Sequence, residues 1–180
     1  MKFSEILPQR KTLFIDLDGV LVYLDEAIAN FNHFSSAEYE AKSWDEREKY
    51  FENVRYHANI QEFFADANWQ PNGKRLIRWL KENQIDFSIL TKPMRKPWMF
   101  DCVRGKEDWV KRNGLDGIPL YFSRHKEKYA IAVDGESNIL VDDWDKNISV
   151  WCKKGGTGIL YDYRNFDKAL QEIKYLYAMD

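Results

Sequence analysis

The segment Phe14 to Val20, FIDLDGV, ends an apolar run in two carboxylates, Asp16 and Asp18, one residue apart, and Gly19 then lets the backbone turn sharply. Carboxylates that close repel one another and call for a counterion. A hard divalent cation with oxygen ligands supplies one, and Mg2+ suits a site that must also accept phosphate oxygens. Taken alone, the segment is equally well an Asp-Gly turn after a buried strand. The segment Asn138 to Asn147, NILVDDWDKN, tips the balance, because a second apolar run ends in Asp142 and Asp143, with Asp145 and Asn147 just beyond. Helix capping accounts for Asp145. It does not explain why two apolar runs each end in paired carboxylates, and in a parallel sheet the two acidic ends would converge on one shared cation.

Two further runs end in groups that suit a phosphate. FSILTKP reaches Thr91, a hydroxyl donor, with Lys92 next to it, and YFSRHK ends in Ser123, Arg124, His125 and Lys126. In isolation Thr91 reads as a turn or cap residue and the basic cluster as a solvated surface. As the third and fourth strand ends of one sheet they read as phosphate ligands. His33 and His57 show no ligand spacing and read as surface or supporting residues.

The elements that must position these groups are legible as alternating patterns. Strands are expected at Thr12 to Ile15, Phe87 to Leu90, Leu120 to Phe122, Ile139 to Val141 and Gly158 to Tyr161. Helices are expected at Pro71 to Asn83, Lys106 to Arg112, Lys146 to Lys154 and Phe166 to Tyr177, with Gly155 and Gly156 stopping the third. Alternating strands and helices predict an α/β fold with a five-stranded, mainly parallel sheet covered on both faces. Residues 22 to 70 carry no strand signal. Their aromatic and charged residues, among them Phe31, Phe34, Tyr50, Phe51 and Val54, alternate in helical fashion and predict a helical insertion after the first strand. The expected division is therefore a core of residues 1–21 and 71–180 and a cap of residues 22–70.

The 180 residues, 44% of them hydrophobic, fit one core with a small insertion beside it. With 27 basic and 29 acidic residues the formal charge is -2, so no basic field draws the protein to nucleic acid or an anionic membrane. The expected partner is a small-molecule phosphate ester, with no membrane and no stable nucleic-acid binding, and a homodimer is left open. Cys102 and Cys152 are too few and too far apart for a disulfide framework, which points to a reducing compartment. The N-terminal MKFSEILPQRK lacks the apolar core of a signal peptide, and no apolar run reaches membrane-spanning length. A cytoplasmic location is the expectation.

In this order, the acidic pair at the first strand, Thr91 at the second, Lys126 near the third and the paired acids at the fourth resemble the four motifs of the haloacid dehalogenase superfamily, whose core is Rossmann-like. Within it the chain looks most like the 5'(3')-deoxyribonucleotidases. FIDLDGVLVYL, the pair Phe63 and Phe64, the W-x-P-x-G run at Trp69 to Gly73, Lys106 to Val110, Arg124 to Lys126 and LVDD all resemble stretches of that group. The run DDWDKNISVWCKKGGTGILY is similar to the closing stretch of bacterial and phage-borne proteins likened to it. The resemblance implies a Mg2+-dependent phosphatase in which Asp16 is nucleophile and metal ligand and Asp18 is general acid/base and metal ligand. It implies Asp143 as a further metal ligand, and Asp142, Asn147 and Arg124 as supporting residues. Thr91 and Lys126 would grip the phosphoryl group, with Lys106 and Lys92 counted among the phosphate contacts and Phe63 and Phe64 as candidates to pack on a base. The implied activity is a 5'-nucleotidase for (deoxy)ribonucleoside monophosphates; the alternatives are a phosphatase of the same superfamily acting on another small phosphate ester or a nucleic-acid end, and a catalytically idle binding protein that keeps the fold. Lys92 stands where the group often has a small hydroxyl residue, Leu24 where it can have an aromatic one, and Asn147 where many relatives carry another acid.

Overall fold

A computed structural model describes Pro8 and residues 10–178. Most of the N-terminal segment read above for a targeting signal lies outside these residues. The described chain forms two compact units.

The first unit comprises the chain through Leu21, Gln70–Lys92 and Ile118 onward. Its five strands are β1 (Leu13–Ile15), β2 (Phe87–Thr91), β3 (Leu120–Phe122), β4 (Ile139–Asp142) and β5 (Thr157–Leu160). All neighbours pair parallel in the order β3-β2-β1-β4-β5. The expected α/β class is therefore observed, with each strand within a residue or two of its expected place. β1 is central because Leu13, Phe14 and Ile15 are wholly buried, as a strand covered on both faces must be. The Phe14 ring meets Tyr121, Tyr129 and Trp151 edge-on, with centroids 5.8, 5.8 and 5.9 Å away, so the residue two before Asp16 is clamped by aromatic contacts. Register places Ile15 beside Ile89 on one side and Val141 on the other. The carboxyl ends of β1, β2 and β4 therefore fall on one edge of the sheet.

The second unit comprises Val22–Trp69 and Pro93–Gly117. It holds α1 (Leu24–Phe31), α2 (Ser36–Glu40), α3 (Trp44–His57) and α4 (Ile60–Ala65) from the first segment. In the first unit, α5 (Gly73–Glu82) follows, and α6 (Met99–Arg112) returns to the second. Residues 93–117, read above as part of the core, thus group with the second unit, and α6 begins seven residues earlier than its expected start at Lys106. Gly105 explains both points. A Cβ there would lie 2.4 Å from the Gln61 carbonyl oxygen and 2.9 Å from Phe64 Cβ, so the glycine that weakens the helical signal is what lets α6 lie against α4. Trp109 donates to the Ala67 carbonyl at 2.8 Å and Trp69 to Asn113 Oδ1 at 2.6 Å, tying the two segments together again. Capping boxes at Ser35 with Glu38 and Ser43 with Glu46 start α2 and α3.

The remaining helices, α7 (Asp145–Lys153) and α8 (Phe166–Leu176), belong to the first unit and lie within a residue of their expected bounds. Among the described residues, no helix is long and apolar enough to cross a membrane.

Candidate active site

Asp16 follows β1 directly, and its backbone N–H still donates to the Val141 carbonyl of β4 at 2.9 Å, so sheet pairing fixes the first acidic strand end against the second. Ligand atoms of Asp16, Asp142 and Asp143 lie within 4.8 Å of one another. Lys126, in a 3-10 turn after β3, is 2% exposed and sets its ammonium 2.7 Å from Asp16 Oδ1 and 2.7 Å from Asp142 Oδ2. The Leu17 N–H also donates to Asp16 Oδ1 at 2.7 Å, so two donors orient this carboxylate through one oxygen.

Asp142 and Asp143 are adjacent in sequence and differ in use. Asp142 is wholly buried and accepts from the Trp144 N–H at 2.9 Å, from Lys126, and from Asn147 Nδ2 at 2.9 and 3.0 Å. Its oxygens are occupied by protein donors. Asp143 keeps an exposed face, while its carboxylate packs where a side chain on residue 19 would stand, since a Cβ on Gly19 would come 2.0 Å from Asp143 Oδ2. Gly19 has φ +78, which also favours glycine.

Charge crowding is visible in the titration of these groups. Burial pushes the Asp16 carboxyl up to about 7, with Lys126 opposing and Asp142 and Asp18 adding to the rise. Packing around the inner side of Asp143, then the charges of Asp16 and Asp142, raises its carboxyl well above the usual carboxylate range. For Lys126, burial is outweighed by Asp16 and Asp142, which raise its ammonium above the ordinary lysine value. Burial, followed by the charge of Lys126, lowers Lys92. A cluster with this excess of carboxylates fits a hard divalent cation: the donors are all oxygen, they stand close together, and a bound cation would relieve their mutual repulsion.

Thr91 ends β2 and is wholly buried, with its carbonyl accepting from the Ser123 N–H at 3.0 Å, so the second and third strand ends also meet. Asp18 is partly buried beyond the turn start. Arg124 is exposed, and His125, also exposed, faces Glu127 at 3.1 Å. Lys106, Phe63 and Phe64 belong to the second unit. Lys106 is 1% exposed on α6 with its ammonium 5.1 Å from the Phe64 ring centroid. Phe64 is buried in that unit's cluster with Ile28, Val54 and Cys102, and Phe63 packs edge-on against Phe31 and Phe64. Sequence reasoning missed Trp144, whose ring lies beneath the ammoniums of Lys92 and Lys146 at 4.7 and 5.6 Å. It also missed the hydrogen bond from Lys92 to Asn147, which spans 55 positions and leaves no trace in spacing.

The parallel five-stranded sheet gives this chain an α/β fold similar to that of solved structures, among them haloacid dehalogenase-like hydrolases. The solved structures it resembles include a hydrolase from Streptococcus pneumoniae TIGR4, with TM-score 0.50 and 11% identity over 95% of this chain and 100% of that one. A haloacid dehalogenase-like family hydrolase from Streptococcus pneumoniae gives 0.54 and 14% over 93% and 99%. A HAD-superfamily hydrolase, subfamily IA, variant 1, from Geobacter sulfurreducens PCA gives 0.52 and 13% over 86% and 88%. At these identities the likeness is one of fold. No family model and no curated protein matches the sequence.

Proposed function

We propose that this chain is a phosphomonoester hydrolase that uses Asp16 as nucleophile, with Mg2+ as cofactor and a nucleoside monophosphate as substrate. The observation that carries the reading is Asp16 itself, a buried carboxylate gripped by a buried lysine and crowded by Asp142 and Asp143. Asp16, Asp18 and Asp143 would hold the cation, which when bound neutralises phosphoryl charge. Asp142 is committed to Lys126 and Asn147 and serves as support.

Phosphate monoesters resist hydrolysis because their dianion repels an anionic nucleophile and the alkoxide leaves poorly. Asp16, oriented through Oδ1, attacks phosphorus with Oδ2 as the bond to the leaving oxygen breaks, and Asp18 protonates that oxygen. Water then attacks the aspartyl-phosphate, Asp18 takes its proton, and the bond from phosphorus to Asp16 breaks to release inorganic phosphate. Lys126 balances charge on Asp16 and the phosphoryl oxygens throughout, and Thr91 contributes a hydroxyl donor. The nucleotide preference draws its support from the stretches that resemble deoxyribonucleotidases, and residues 22–70, with Phe63 and Phe64, are the segment to which we assign substrate choice. Two thiols outside any disulfide suit a cytoplasmic setting.

Asp16→Asn tests the chemistry. Phosphate release from a panel of nucleoside monophosphates, sugar phosphates and 5'-phosphorylated oligonucleotides falls to background in this variant, with the fold retained by circular dichroism. Turnover near the wild-type rate would remove Asp16 from its role, and release only from non-nucleotide esters would remove the nucleotide.

A further inference from the structure

A chain of hydrogen bonds runs from the edge of the site to its centre. Lys92 donates from Nζ to Asn147 Oδ1. Asn147 donates through Nδ2 to both oxygens of Asp142, at 2.9 and 3.0 Å. Asp142 accepts from Lys126 at 2.7 Å, and the same ammonium lies 2.7 Å from Asp16.

The types of group in this chain matter more than their number. A lysine ammonium only donates and a carboxylate only accepts, whereas an amide does both from opposite ends. Asn147 stands between a donor-only cation and an acceptor-only anion, and it is buried. Its orientation is therefore dictated: the carbonyl must face Lys92 and the NH2 must face Asp142. Without the cation, the buried carbonyl oxygen of Asn147 loses a charge-assisted partner, and the amide is then held from its Asp142 end alone. Asp142, oriented then by the Trp144 N–H and Lys126 with a less fixed amide beside it, would in turn hold Lys126 in a less fixed place. Lys92 is itself kept in place, since its ammonium lies 4.7 Å from the centroid of the Trp144 ring, and Trp144 donates its backbone N–H to the same Asp142.

We propose that Lys92 is a positioning residue: by fixing the Asn147 amide it holds Asp142, and through Asp142 it holds Lys126 against Asp16. This inference rests on the phosphatase reading for its catalytic consequence and assigns Lys92 a task other than direct phosphate binding.

The test is a double-mutant cycle with Lys92→Met, Asn147→Leu and the pair, joined by Lys92→Arg, with p-nitrophenyl phosphate as the probe in saturating Mg2+. Lys92→Met lowers kcat about tenfold with KM held within about twofold, as expected when one link of a coupled network is cut. Asn147→Leu does the same, the double variant is no slower than the slower single one, and Lys92→Arg, which keeps a cationic donor, recovers at least half of kcat. A rise in KM of equal size in both backgrounds, with kcat unmoved, would make Lys92 a phosphate ligand and overturn the proposal. So would a Lys92→Met enzyme with both constants unchanged.

Urea denaturation of the metal-free proteins reads the same link without turnover. Lys92→Met lowers the midpoint when Asn147 is present and leaves it unmoved in the Asn147→Leu background, whereas equal shifts in both would sever Lys92 from the chain. A wild-type protein that releases no phosphate from any ester would defeat the phosphatase reading, and the denaturation cycle would still decide whether Lys92 acts through Asn147.

Discussion

Replacing Lys126 with Met removes one charge from the centre of the site while nearly preserving side-chain length, and the structure sets both the size and the pH dependence of the result. The ammonium is 2% exposed and stands 2.7 Å from an oxygen of each of two buried carboxylates. Removing one partner from a buried ion pair costs roughly 3–5 kcal/mol, because the remaining charge is left without compensation. That loss belongs to conditions in which the carboxylates are ionised. In the wild type, burial together with Asp142 and Asp18 already holds Asp16 at about 7 against the pull of Lys126, and without Lys126 it rises further. A folded-state value above the unfolded 3.8 means that the folded protein binds the proton more tightly. The stability this contributes is fully present below 3.8 and is lost as pH rises through about 7. Lys126, raised above its ordinary value, stays charged throughout that window. Metal-free wild type is therefore less stable at pH 8 than at pH 5, and Lys126→Met loses stability more steeply over the same interval. The deficit of the variant at pH 8 is about 3–5 kcal/mol, on the order of 10 °C in Tm for a chain of this size. At pH 5 it is markedly smaller, and saturating Mg2+ at pH 8 restores part of it. Urea denaturation of both proteins, followed by circular dichroism at both pH values, in chelator and in Mg2+, measures each of these outcomes. Equal deficits at pH 5 and pH 8, or none at pH 8, would refute the electrostatic account of the site.

Two further outcomes follow from local geometry. Asp143→Asn removes a carboxylate that lies within reach of Asp16 and Asp142, and isothermal titration should show Mg2+ affinity reduced by about tenfold or more with the fold intact; unchanged affinity would take Asp143 out of the ligand set. Gly105→Ala sets helix propensity, which favours alanine by about 1 kcal/mol, against a Cβ placed 2.4 Å from the Gln61 carbonyl oxygen. Overpacking of that kind costs about 1–3 kcal/mol, so the urea midpoint should fall, and a rise would show that α4 and α6 do not meet as described.

The parts of the fold that were legible in the sequence are those governed by local chemistry. β1 and β4 announce themselves as apolar runs because a strand covered on both faces has no polar positions to interrupt it. Since both run parallel, the acids at their carboxyl ends, Asp16 just after β1 and Asp142 and Asp143 at the end of β4, had to reach the same edge. α6 was half hidden because Gly105, placed for contact with α4, reads in isolation as a weak helical position. Phe64 illustrates a different limit. An aromatic residue can pack on a ligand or within its own unit, and spacing does not separate the two; Phe64 is buried among Ile28, Val54 and Cys102.

Asn147 shows why a site cannot be reduced to its charged residues. Read by type, Asn147 is a neutral residue where the resembled family often carries another acid, and Lys92 is an extra base where it often carries a small hydroxyl residue. In space the two are one feature. An acid at 147 would place a fifth carboxylate beside Asp16, Asp18, Asp142 and Asp143, directly against Asp142, whereas the amide donates to Asp142 and presents a carbonyl to Lys92. The pair thus converts a position of like-charge repulsion into one of donation, and it does so without drawing Lys126 away from Asp16. Asn147→Asp separates the two effects: it preserves an acceptor for Lys92 but removes the donor to Asp142, so it should behave like the loss of Lys92 and not like the wild type. An Asn147→Asp protein with unaltered stability and unaltered kcat would show that Asp142 needs no donor at this position.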